Sequence, residues 1–176
     1  MKNRNMQFKP AGGLLIPLLL ACFAAVFIST PTPATAGDTV PFNGTVSGYG
    51  NVNNLPLVVN FGNANQLGAF TGTADFYPDA PDPVTGCFHY IGFFHWIAGN
   101  RDKLEGTFEG ESCPTGGGMY DNHETSDVDP TFSTGRFAGA TGHFELGGQI
   151  DFSMYPDFSF VLPWEGTISS VGSTRH

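Results

Sequence analysis

One short pattern recurs along this chain and restricts its fold more than any other feature. It runs large apolar residue, polar residue, glycine, threonine, second apolar residue: Phe42-Asn43-Gly44-Thr45-Val46, Phe70-Thr71-Gly72-Thr73-Ala74, Leu104-Glu105-Gly106-Thr107-Phe108 and Trp164-Glu165-Gly166-Thr167-Ile168. Alternation along a β-strand sets the first, third and fifth residues on one face and the polar ones on the other. Lys103 to Ser112 carries this furthest, with Leu104, Gly106, Phe108 and Gly110 inward and Glu105, Thr107, Glu109 and Glu111 outward. A glycine at an inward strand position packs nothing itself and weakens the strand. It is tolerated where a sheet bends sharply or a large neighbour needs room, as in a small closed barrel.

The 24 glycines and 13 prolines interrupt nearly every window of ten residues after the N-terminal segment, so no helical period survives over three turns. Less regular strand segments are Leu57 to Phe61, Phe144 to Phe152, and Phe158 to Leu162 leading into the last strand. Turn residues gather at Pro78 to Gly86, Pro114 to Gly118 and Asn122 to Pro130. Eight or nine strands fit an all-β fold, a single antiparallel eight-stranded β-barrel, with a β-sandwich as the alternative. The pattern begins at residues 42, 70, 104 and 164, and those unequal steps exclude a solenoid.

Cys87 to Ala98 departs from the alternation, with His89, Ile91, Phe93, His95 and Ile97 on one face and Tyr90, Phe94 and Trp96 on the other. A strand apolar on both sides is buried on both sides. One face meets the core, the other a covering loop or a second subunit, which makes this strand the expected site of homo-oligomer contact.

The N-terminus reads as an export signal. Lys2, Arg4 and Lys9 precede the apolar run from Leu14 to Ile28, and Ala34-Thr35-Ala36 supplies the small residues of a cleavage site, so 1–36 is expected to be a signal peptide and 37–176 one domain. Fifteen residues at ~1.5 Å each fall short of a ~30 Å hydrocarbon core, so no membrane span is expected. Leu19-Leu20-Ala21-Cys22 is similar to a lipobox, but the apolar run continues past Cys22, which favours a periplasmic or secreted protein over a lipoprotein. Cleavage leaves four basic residues against sixteen acidic ones, a net charge of −12 with histidines neutral. That surface repels nucleic acid and anionic lipid. It also leaves only Cys87 and Cys113, which an oxidising compartment pairs, for about 3.5 kcal/mol of loop-entropy stabilisation. Two free thiols are the alternative.

The ordered segments VPFNGTVSG, GAFTGTADF, GNRDKLEGTFEGE, GRFAGATGHF and WEGTISS cover most of the mature chain. They resemble a group of exported bacterial proteins of uncharacterised function and, more distantly, the allene oxide cyclase and dirigent barrels. The resemblance implies an eight-stranded calycin-like barrel whose lumen, in the named relatives, holds an apolar substrate. It assigns no catalytic residue here.

Candidate chemistry is sparse. His89 and His95 share a face but stand roughly 20 Å apart at ~3.3 Å per residue, too far to share a metal. Either is a packed histidine or a lone general base in a lumen. Asp121 to Asp129 gathers four carboxylates without the EF-hand order, which reads as a solvated acidic loop rather than a calcium site. Glu105, Glu109, Glu111 and Glu165 fall on the solvent face. No nucleophile elbow, phosphate loop, zinc helix or dinucleotide fingerprint occurs, and no cofactor or metal is expected. Fourteen phenylalanines remain after cleavage, enough either to fill a small barrel or to line a site for one apolar ligand. The expected lining is His89, Phe93, His95, Phe108, Phe137 and Trp164. The expected role is binding of a small hydrophobic molecule or a structural part in the envelope, with a cyclase or isomerase as the alternative.

Overall fold

The computed structural model describes residues 38–169. The expected signal segment, with Cys22, lies outside the described residues. Nine strands follow one another: β1 (Thr39–Pro41), β2 (Gly44–Asn51), β3 (Leu57–Ala64), β4 (Gly68–Pro78), β5 (Phe88–Ala98), β6 (Lys103–Gly116), β7 (Met119–Val128), β8 (Gly142–Asp151) and β9 (Asp157–Ser169). Each pairs antiparallel with the next from β2 to β9, and β9 closes onto β2. The result is an eight-stranded antiparallel barrel, with β1 continuing along β9 in the register of β2. Closure leaves no place for the sandwich alternative.

Cross-strand pairing explains the inward glycines. Gly44 stands opposite Trp164, Gly48 opposite Phe160, Gly62 opposite Phe70, Gly92 opposite Phe108, Gly106 opposite Phe94 and Gly110 opposite Tyr90. In each pair the ring crosses onto the space a glycine Cβ would fill. The barrel therefore alternates large and absent side chains around its inner wall, which lets many rings fit inside a small circumference.

One end of the barrel is filled. Phe42, Phe94, Phe137, Phe144, Leu104 and Ile168 are almost wholly buried there, and Trp96 stacks on Trp164 with centroids 5.2 Å apart. The Gly135-Arg136-Phe137 segment forms a 3-10 turn that sets Phe137 in the core. Arg136 fixes that turn: Nη2 donates to Leu67 O at 3.0 Å, Nε pairs with Asp102 at 3.4 Å, and the guanidinium lies 4.8 Å from the Phe137 ring centre.

Two sequence expectations change. Asp121 to Asp129 is not a loop: residues up to Val128 belong to β7, in register with both β6 and β8. Its inward residues Asn122, Glu124 and Ser126 are polar, so hydrophobic alternation had nothing to report there. Phe158 to Leu162 and Trp164 to Ile168 form one strand, β9, carried through Pro163. The β8–β9 pairs are missing opposite Pro163, at Gly147 and Gly148, where proline offers no N–H.

Cys87 and Cys113 form a disulfide joining the entry of β5 to β6, with Cα atoms 4.1 Å apart. Among the described residues no helix is long and apolar enough to cross a membrane.

Candidate functional site

A cavity of about 50 Å³ remains inside the barrel beside the filled end. Rings from β4, β5, β6 and β9 wall it, with Val46, Val58, Leu146 and Ile150 between them. On a scale of roughly 10–15 Å³ per water it holds about four waters or a compact ligand. Three polar side chains reach it: Asn60 from β3, Tyr90 from β5 and Glu124 from β7.

These three residues are inward for the same reason as the rings. Strand parity sends Tyr90, Gly92, Phe94 and Trp96 inside on β5, and Asn122, Glu124 and Ser126 inside on β7. Asn60 stands between Gly48 and Gly72 on its neighbouring strands. The Tyr90 ring lies over Gly110 and brings its hydroxyl to the β7 row. Tyr90 Oη donates to Asn122 Oδ1 at 2.7 Å, where Ser112 Oγ donates at 2.6 Å, and it lies 3.1 Å from Glu124 Oε2. Ser126 Oγ donates to Glu124 Oε1 at 3.2 Å.

Burial governs the ionisation of this cluster. Removal from water pushes the Glu124 carboxyl up to about 7, against the opposing effect of hydrogen bonds from Tyr90 and Ser126. Burial first, and the neighbouring Glu124 charge second, push the Tyr90 phenol well above its ordinary range. A phenol has one proton, which the Tyr90 hydroxyl gives either to Asn122 Oδ1 or to Glu124 Oε2, and the second arrangement is the one that favours the Glu124 carboxylate.

Among the described residues four buried polar side-chain atoms have no hydrogen-bond partner: Asn60 Oδ1, Trp96 Nε1, Asn122 Nδ2 and Trp164 Nε1. Asn60 and Trp96 line the cavity. Leaving such groups unpaired costs about 1–3 kcal/mol each, so a folded protein keeps them where something else meets them.

The expected lining divides. Phe108 lines the cavity, whereas Phe137 and Trp164 pack into the filled end. His89, Phe93 and His95 face outward, because the parity that buries Tyr90, Phe94 and Trp96 turns the odd-numbered residues of β5 to solvent. The outward histidines meet carboxylates of neighbouring strands: His89 Nε2 lies 3.0 Å from Glu111, His95 Nδ1 3.3 Å from Glu105, and His143 Nδ1 2.8 Å from Asp127. Ile91, Phe93 and Ile97 lie between them on the outer wall, 60%, 48% and 42% exposed. Among the described residues no loop buries this face.

Sequence reasoning missed Asn60, Tyr90, Asn122 and Glu124. One signal was available for Tyr90. Gly92 shares its face, and glycine marks the inward face at Gly44, Gly62, Gly106 and Gly110 as well.

No family model matches this chain, and neither a curated protein nor a solved structure is detectably similar to it.

Proposed function

We infer that this chain is an exported barrel that binds a small, largely apolar molecule in its interior. The observation that carries this reading is Asn60, a buried side chain whose oxygen has no partner among the described residues, on the wall of a cavity that a partly buried carboxyl group also lines. A barrel serving only as an envelope structural element gains nothing from that arrangement. Apolar walls supply affinity and the few polar groups fix orientation, the usual division in a ligand site. Native mass spectrometry of protein purified from its own host tests this. A wild-type adduct missing from Asn60→Leu supports the reading, and bare protein alone counts against it.

A cyclase or isomerase resembling allene oxide cyclase is the second reading. It draws support from Glu124, whose raised proton affinity suits transfer near neutral pH, while the surrounding rings would hold a flexible substrate in a folded shape. Loss of turnover in Glu124→Gln with ligand binding retained would separate it from simple binding.

The outer face of β5 supports self-association. Ile91, Phe93 and Ile97 continue across the neighbouring strands to Tyr77, Leu57 and Phe61, all well exposed. Contiguous apolar surface of this kind marks contact sites.

A further inference from the structure

The cavity presents oxygen acceptors from opposite walls and no cation to meet them. β3 and β7 stand four strands apart in the eight-stranded ring, so Asn60 and Glu124 reach the cavity from facing sides. Asn60 Oδ1 accepts nothing. Glu124 takes part in none of the ion pairs of the described residues, and Arg136 is committed to Asp102 and Leu67 at the filled end. Between the two acceptors stand Phe76, Tyr90, Phe94, Trp96 and Phe108. Aromatic faces carry negative charge density and attract cations, most strongly where water is excluded. The chain's formal charge of −9 draws cations toward the barrel as a whole.

We propose that the cavity is a site for a small primary ammonium ion with a short apolar tail, its N–H groups donated to Asn60 Oδ1 and the Glu124 carboxylate. This rests on the reading of the cavity as a ligand site and names its chemistry. The ammonium charge sits against the rings, and the tail packs on the aliphatic wall of Val46, Val58 and Leu146. A cavity of about 50 Å³ suits a ligand of a few heavy atoms. Trp96 Nε1, a buried donor on the wall with no partner among the described residues, is left to cavity water.

The pH dependence follows from the same geometry. Inside the barrel, Tyr90 on β5 is the titratable group at Glu124; the flanking Gly110 on β6 and Leu146 on β8 do not titrate. His89, Glu109, Glu111, His123 and Glu145 line a solvent-open depression on the outer side of the same wall, which Tyr90 and Glu124 also border. Glu124 holds its proton up to about pH 7 and must release it to pair with an ammonium. Affinity therefore rises about tenfold per pH unit below 7 and levels off above it.

Calorimetric titration with butylammonium and with butan-1-ol, matched in length and differing in charge, tests the proposal on the full mature chain. At pH 8 butylammonium should bind roughly 100-fold more tightly than the alcohol. Glu124→Gln, which keeps the side-chain shape, should remove that preference, so that the two probes bind within about threefold of each other. Equal or tighter binding of the alcohol to wild type overturns the ammonium assignment and leaves the cavity as a site for neutral ligands. Binding of neither probe overturns both readings. Ammonium binding that survives Glu124→Gln unchanged places the cation elsewhere and also overturns the proposal.

Discussion

Gly110 on β6 stands directly opposite Tyr90 on β5, and the phenol ring occupies the space a side chain at 110 would need. That single absence lets the Tyr90 hydroxyl reach Asn122 and Glu124 on the next strand. The same device, glycine beneath a ring, is repeated around the barrel. At this position it also assembles the polar cluster.

Gly110→Ala should therefore cost roughly 1–3 kcal/mol, as overpacking of a filled interior does. Gly99 is the control: a Cβ there meets nothing within 4 Å, and Gly99→Ala should stay within about 0.5 kcal/mol of wild type. Urea unfolding of both variants makes the comparison. Equal effects would show that ring placement over glycine is not what fixes the wall.

Asn60→Leu should raise stability in the absence of ligand, by about 1–3 kcal/mol, because it replaces an unpaired buried amide with an apolar side chain of similar volume. The same variant should lose ligand. A gain in melting temperature together with a loss of binding is the signature of a polar group retained for function. A loss of stability would show that Asn60 has a structural partner.

Breaking the Cys87–Cys113 bond by Cys87→Ser with Cys113→Ser should lower stability by about 3.5 kcal/mol on the loop-entropy account, read from urea unfolding with and without reductant. The wild type should respond to reductant and the double variant should not.

Sedimentation velocity checks the outer face of β5. Wild type should associate, and Phe93→Glu combined with Ile91→Glu should yield monomer with an unchanged β-sheet circular dichroism spectrum. Monomeric wild type at high concentration would remove the self-association reading.

The fold was legible in the sequence because its chemistry is repeated. Glycine between apolar residues, with threonine beside it, marked the wall at Phe42 to Val46, Phe70 to Ala74, Leu104 to Phe108 and Trp164 to Ile168, and all four lie in the barrel. The candidate site was not legible, because β7 is polar on both faces. Asn122, Glu124 and Ser126 point inward while His123, Thr125 and Asp127 point outward, so the segment looks like a loop until its register with Gly110 and Leu146 is seen. β5 posed the opposite difficulty, being apolar on both faces. Its parity is settled by Gly92, which sits opposite Phe108.

Glu124 also sets a pH dependence of stability. Its folded proton affinity is raised, from 4.5 to about 7, so the folded protein holds a proton that the unfolded chain gives up. The stability this contributes is complete below pH 4.5, declines as pH rises toward 7, and is gone above it. Glu124→Gln should flatten that decline.

The partly buried Glu124 carboxyl on the inner wall of the barrel is the central feature of the site, and carbon-detected NMR of its side chain across pH measures it directly. A midpoint near 7 is the predicted result. A midpoint in the ordinary carboxylate range, about 4.3, would mean that water reaches Glu124 freely and would contradict the site.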